Sequence, residues 1–171
     1  RQIKVMLVDD HSMVRRGLVA FLKNEIDLDI IAEAQDGREA IEKCKDAEPD
    51  VILMDLVMPS LGGVAATRMI LDRWPDIRIL ALTSFQEKDL VQEALQAGAT
   101  GYLLKDTDRK VLFDAIRAAA RGESLLPSEV VDKMVAHLVD GGCGSQPVQA
   151  DTLSQRETQV LGFLAQGAAN K

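Results

Sequence analysis

Residues 3–10, IKVMLVDD, run apolar for most of their length and then stop at an acidic pair, Asp9 and Asp10. The same form returns three times: VILMD (51–55) stops at Asp55, RILALT (78–83) at Thr83, and GYLLK (101–105) at Lys105. Short, nearly continuous apolar runs of this kind read as strands buried on both faces. If they are parallel strands of one sheet, the four stops share an edge, and their residues become one site.

Helix-length amphipathic stretches separate the runs, the pattern of βα units on a parallel sheet. The resulting expectation is an α/β fold, a (βα)5 doubly wound parallel sheet. Strands are expected at Ile3–Val8, Leu28–Ala34, Val51–Met54, Arg78–Leu82 and Gly101–Leu104. Helices are expected at Ser12–Asn24, Arg38–Asp46, Val64–Trp74, Glu87–Ala97 and Arg109–Arg121. Pro49 and Pro75 each follow a helix, Gly37, Gly98 and Gly122 fall at helix boundaries, and Ser84 with Glu87 has capping-box spacing.

In open α/β sheets ligands bind beyond the carboxyl ends of the strands, where the connections change direction. In the flavodoxin-like order 2-1-3-4-5 that point lies between strands one and three. Asp9, Asp10 and Asp55 then flank the crevice, while Thr83 and Lys105 end the next two strands on the same edge. The second strand ends in the turn residues Gln35, Asp36 and Gly37, and this order places it farthest out.

Crowded carboxylates repel one another, and a hard divalent cation relieves them; magnesium fits because it binds through few carboxylates and keeps waters and phosphate oxygens. Asp55 is then the nucleophile of a phosphoryl transfer, with Lys105 and Thr83 contacting the phosphoryl oxygens. Singly, each residue has an ordinary explanation: Asp10 or Ser12 caps the first helix, Thr83 or Ser84 the fourth, and Lys105 is solvated. Together these explanations weaken, because chance must put the right type at four strand ends. Met54 and Met58 read as packing residues. His11 and His137 have no partner at recognisable spacing and read as surface or capping residues.

After Gly122 no further strand is expected. Ser128–Val139 reads as one more amphipathic helix, and 140–151 (DGGCGSQPVQAD) as a linker. LSQRETQVLGFLAQG then opens a second unit, with Ser154 and Glu157 in capping-box spacing and Gly167 as its stop. The division is 1–122, 123–151 and 152–171, the last an incomplete all-α output unit. The chain has 171 residues and a net charge of −7; residues 1–122 hold 17 Lys/Arg against 21 Asp/Glu, and 123–171 hold 3 against 6. Neither part has the basic footprint of nucleic-acid binding. No apolar run reaches membrane-spanning length, the charged start is unlike a signal peptide, and Cys44 and Cys143 match neither a disulfide framework nor a metal motif, so a cytoplasmic protein without a membrane partner is expected.

VDDHSMVRRGL, DVILMDLVMPSLGG, LALTS and AGATGYLLKD, spread over residues 1 to about 122, resemble the receiver domains of two-component response regulators. GYLLKD together with LSQRETQVLGFLAQGAANK is similar to the NarL/FixJ class, whose receiver is linked to a LuxR-type helix-turn-helix domain. The resemblance implies phosphorylation of Asp55 by a sensor histidine kinase. It implies magnesium held by Asp9, Asp10, Asp55 and the backbone carbonyl of Val57, phosphoryl contacts from Thr83 and Lys105, and a switch made of Thr83 and Tyr102. Val57 and Phe85 match positions that tune phosphoryl lifetime in the family. It further implies a homodimer on phosphorylation and promoter DNA bound through the full-length output domain. The LuxR-type likeness covers only Leu153–Lys171 and lacks the recognition helix, so no DNA-binding residue is expected among those present. Such a protein is a signalling phosphoacceptor, catalysing only its own phosphorylation and dephosphorylation.

Three rivals remain on the residues. A stand-alone receiver acting by protein contacts is opposed by the linker and LSQRE segment. An aspartyl-phosphate phosphatase of the haloacid dehalogenase type carries a second Asp two positions after its nucleophile, where this chain has Val57. A flavodoxin-like flavin carrier needs phosphate donors after its first strand, where this chain has the anionic DDHS.

Overall fold

The computed structural model describes residues 1–84 and 88–124. The expectations on Phe85, Glu87, His137, the sixth helix, the linker and the second unit lie outside these residues.

Five strands alternate with five helices: β1 (Ile3–Val8), α1 (Ser12–Leu22), β2 (Leu28–Ala34), α2 (Gly37–Ala47), β3 (Val51–Asp55), α3 (Gly63–Arg73), β4 (Arg78–Thr83), α4 (Lys88–Gln96), β5 (Gly101–Leu104) and α5 (Arg109–Ala120). Every strand pairing is parallel, in the expected order β2-β1-β3-β4-β5. No helix among the described residues is long and apolar enough to cross a membrane.

Alternation along the strands divides the core in two. Val5, Leu7, Val51, Leu53, Leu80, Leu82 and Leu103 face α1 and α5, where they meet Leu22, Leu112, Phe113 and Ile116. Met6, Val8, Ile52, Met54 and Ile79 face the other way, against Ala40, Ile41 and Cys44 of α2 and Ala66 and Ile70 of α3. Met54 is fully buried and Met58 packs at the margin of this second cluster, as expected of packing residues. The Cys44 thiol lies inside it, and burial pushes its pKa up to about 12, which leaves it little thiolate character. Arg117 of α5 ties the loop before β2 to this scaffold through Asp27 (2.7 Å) and Glu25 (2.6 Å), and its guanidinium holds the Asp27 carboxyl below the usual carboxylate range.

Two strands run one residue past their apolar runs, so Asp55 and Thr83 are strand residues rather than the first residues after strands. Parallel pairing decides this: Asp55 is in register with Leu82, and Thr83 with Leu104. The first helix stops at Leu22, short of the expected Asn24. There the Lys23 amide donates to the Val19 carbonyl (3.0 Å) and the Asn24 side-chain amide to the Ala20 carbonyl (3.2 Å). Its N-cap is His11, without a side-chain capping bond, so neither Asp10 nor Ser12 caps it. Asp36 caps α2 through the Glu39 amide (2.9 Å).

Helix α2 ends on Glu48 in the left-handed region, φ 48° and ψ 60°, a conformation in which a Cβ costs on the order of 1 kcal/mol. Glu48→Gly is expected to raise stability by about 0.5–1 kcal/mol in chemical denaturation. A lower midpoint would contradict this.

Candidate functional site

The β3–α3 connection is fixed before any side chain of the site is considered. The Leu56 amide donates to the Leu82 carbonyl (3.4 Å), the Gly63 amide to the Leu56 carbonyl (3.1 Å), and the Gly37 amide to the Leu61 carbonyl (3.1 Å). Ser60 turns the chain with φ 66°. Helix α3 starts directly under the end of β3: a Cβ on Gly63 would stand 2.0 Å from the Asp55 carbonyl oxygen and 2.9 Å from Leu56 Cα. Only glycine lets the helix begin there.

This scaffold presents Asp55 at the edge, its side chain 1% exposed, beside Asp9, equally buried. Lys105 Nζ lies 2.7 Å from Asp55 Oδ2 and 3.0 Å from Asp9 Oδ2, bridging the two. The Val57 amide stands 3.2 Å from Asp55 Oδ1 and the His11 amide donates to Asp9 Oδ1 (2.8 Å). Carboxylate oxygens of Asp9, Asp10 and Asp55 and a nitrogen of His11 all fall within 4.8 Å of one another. The structure thus brings together Asp9, Asp10, Asp55 and Lys105 from the ends of three strands, as the sequence implies.

Thr83 is equally buried, and its hydroxyl donates to the Ser84 carbonyl (3.0 Å). Register sets it apart from Asp55. Asp55 pairs with Leu82 and so points to the α1/α5 side, whereas Thr83 points to the opposite side. Tyr102 pairs with Ala81, two residues before Thr83 in β4, so Tyr102 and Thr83 share a face of the sheet. Tyr102 is half-buried, as a strand tyrosine is expected to be.

Two residues escape the sequence reading. His11 is not without partners: its Nδ1 lies 2.8 Å from Asp10 Oδ1 and 3.3 Å from Asp9 Oδ1. The adjacency of DDH was its only signal. Arg15 donates from Nη1 to the Asp9 carbonyl, and its Nε lies 3.4 Å from Glu33 Oε2, bracing the turn after β1. Nothing in an Arg15–Arg16 pair one turn into a helix announces that contact.

The electrostatics are those of a site short of positive charge. Burial raises the Asp55 pKa; the Lys105 hydrogen bond opposes this, and the nearby Asp9 carboxylate adds to it. Burial works against the Lys105 ammonium, but the hydrogen bonds it donates to Asp55 and Asp9 outweigh it and raise its pKa. Three carboxylates face one ammonium, leaving two negative charges that a divalent cation would neutralise. Asp10 Oδ1 is buried and has no hydrogen-bond partner, an orphan atom of the kind an ion satisfies. The donor set therefore fits a hard divalent metal.

A carboxyl whose pKa is raised on folding contributes stability below its unfolded value, and that contribution is lost as pH rises through the folded value. Asp55→Asn, a neutral isostere, is accordingly expected to melt about 2–5 °C higher than the parent at pH 7 without metal. The gain should shrink towards pH 4. A variant that melts lower at pH 7 would contradict the net excess of negative charge in the site.

The response regulator receiver domain model matches residues 5–117. The transcriptional regulatory protein LiaR of Bacillus subtilis is 43% identical over 169 residues, 99% of this chain and 79% of that protein. The response regulator protein VraR of Staphylococcus aureus is 40% identical over 169 residues, 99% of this chain and 78% of its own length. Among solved structures, a LuxR-family two-component response regulator from Aurantimonas superposes with a TM-score of 0.71 at 33% identity, over 81% of this chain and 99% of that one.

Proposed function

The chain belongs to the response regulator receiver family, and from that premise we propose that Asp55 is its phosphoacceptor in a two-component phosphorelay. The observation that carries the reading is the buried Asp55 carboxylate held 2.7 Å from Lys105 Nζ, with Asp9 and Asp10 at its side. An Asp55 oxygen attacks the phosphorus of a phosphohistidine on a sensor histidine kinase; an O–P bond forms as the P–N bond breaks, and the imidazole leaves with a proton from solvent. Lys105 moves from the carboxylate to the incoming phosphoryl oxygens, where its charge offsets theirs. Asp9, Asp10, Asp55 and the Val57 backbone carbonyl would hold magnesium. When bound, that ion supplies neutralisation of the phosphoryl oxygens.

The consequence runs through the other face of the sheet. The Thr83 hydroxyl leaves the Ser84 carbonyl for a phosphoryl oxygen, and Tyr102, on the same face, follows into the space. A local charge change of this kind biases a two-state surface. The output follows the relatives: LiaR is named a transcriptional regulatory protein, and the sequence of residues 152–171 resembles the opening of a LuxR-type helix-turn-helix domain. Receiver 1–122, connector 123–151 and output from 152 onward then form a cytoplasmic regulator. It dimerises on phosphorylation and reaches promoter DNA through its full-length output domain. It is a signalling protein, turning over only its own acyl phosphate.

The test is incubation of the chain with a small acyl phosphate and magnesium, followed by intact mass. One added phosphoryl group is expected, lost with a chelator and lost in Asp55→Asn. Labelling that survives both would overturn the reading.

A further inference from the structure

We propose that His11 is a metal ligand of the Asp9, Asp10 and Asp55 centre, and that its imidazole biases the centre towards first-row transition ions such as manganese(II) over magnesium. The inference rests on the reading of this site as a metal-dependent phosphoacceptor. Three observations carry it. First, His11 Nδ1 stands 2.8 Å from Asp10 Oδ1 and 3.3 Å from Asp9 Oδ1, close to the separation of about 3 Å between neighbouring ligands of an octahedral ion with bonds of 2.0–2.2 Å. Second, Asp10 Oδ1 is buried and makes no hydrogen bond, although Nδ1 stands 2.8 Å away; a shared cation would satisfy both atoms. Third, the imidazole has no capping bond to α1, although His11 is the N-cap, so the helix does not require it.

The position of His11 is fixed by its backbone, whose amide donates to Asp9 Oδ1 (2.8 Å). The turn therefore survives replacement of the side chain. With 66% of that side chain exposed, the imidazole stands at the mouth of the centre, where an ion enters and keeps its waters. Lys105 takes Oδ2 of Asp9 and Asp55, so His11 and the ammonium address different oxygens of Asp9. Oxygen-only sites suit magnesium, whereas an imidazole nitrogen adds affinity for manganese, cobalt, nickel and zinc and almost none for magnesium.

The test titrates the parent chain, His11→Ala and His11→Asn with manganese(II) and with magnesium by calorimetry, and records the electron paramagnetic resonance of bound manganese. Loss of His11 is expected to weaken manganese about tenfold and magnesium less than about twofold, and to remove a nitrogen coupling present in the parent spectrum. Equal effects on the two ions, or a parent spectrum without nitrogen coupling, would overturn the assignment and leave the phosphoacceptor reading intact. If neither ion binds the parent, both fall.

Discussion

Lys105→Ala is expected to unfold at markedly lower denaturant than the parent in the absence of divalent metal, and to recover most of the loss when magnesium is added. Among the described residues, Lys105 is the only Lys or Arg whose side chain lies within hydrogen-bond reach of the Asp9 and Asp55 carboxylates, each 1% exposed. Without it, two buried carboxylates face each other uncompensated. Removing one partner of a buried pair costs about 3–5 kcal/mol; because Lys105 keeps 25% of its side-chain exposure, solvent screening brings the expected loss to about 2–3 kcal/mol. A divalent cation binding the folded state alone stabilises by mass action and should bind this variant more tightly, with no ammonium to displace. Equal denaturation midpoints without metal, or no extra response to magnesium, would contradict the bridging role of Lys105.

Gly63→Ala is expected to have a comparable effect by a different route. Its Cβ would meet the Asp55 carbonyl oxygen at 2.0 Å, backbone against backbone, where no side chain can rotate away. Either α3 shifts along its axis or the end of β3 moves, and overpacking of this kind costs about 1–3 kcal/mol or more. The Gly63–Leu56 and Leu56–Leu82 backbone bonds that fix the loop would be strained together. The variant should therefore lose both stability and acyl-phosphate formation, although no atom of the substituted residue belongs to the site. Glycine at position 62, where an added Cβ would meet the Leu56 carbonyl at an ordinary 3.5 Å, should tolerate Ala. If both substitutions behave alike, close approach is not what Gly63 provides.

These two residues also mark what the sequence makes legible. Lys105 is visible because it interrupts an apolar run, and a strand end is a place where chemistry collects; the same signal marks Asp9, Asp55 and Thr83. The flavodoxin-like sheet order agrees with the residues because it puts the three carboxylates at a switch point and leaves the unreactive second strand at the edge, where β2 lies; the residue pattern does not by itself fix the order of the fourth and fifth strands. Gly63 is invisible in the same reading, since its role depends on how close a helix start comes to a strand end. His11 was misread for a related reason: spacing rules look for partners three or four residues away, whereas here a tight turn folds the imidazole back on its immediate neighbours. The strand ends at Asp55 and Thr83 were set one residue short because a polar side chain ends an apolar run without ending the backbone ladder. Those extra residues place Thr83 and Asp55 on opposite faces of the sheet, a division that apolar patterning alone does not reveal.

The chemical identity of the phosphoacceptor can be read directly. An acyl phosphate on an aspartate is reduced by borohydride to homoserine, so labelling the chain with a small acyl phosphate and magnesium, reducing it and sequencing its peptides by mass spectrometry locates the modified residue. Homoserine at position 55 alone is the predicted result. Homoserine at position 9 or 10, or a phosphoryl group retained on His11 with Asp55 unchanged, would contradict it.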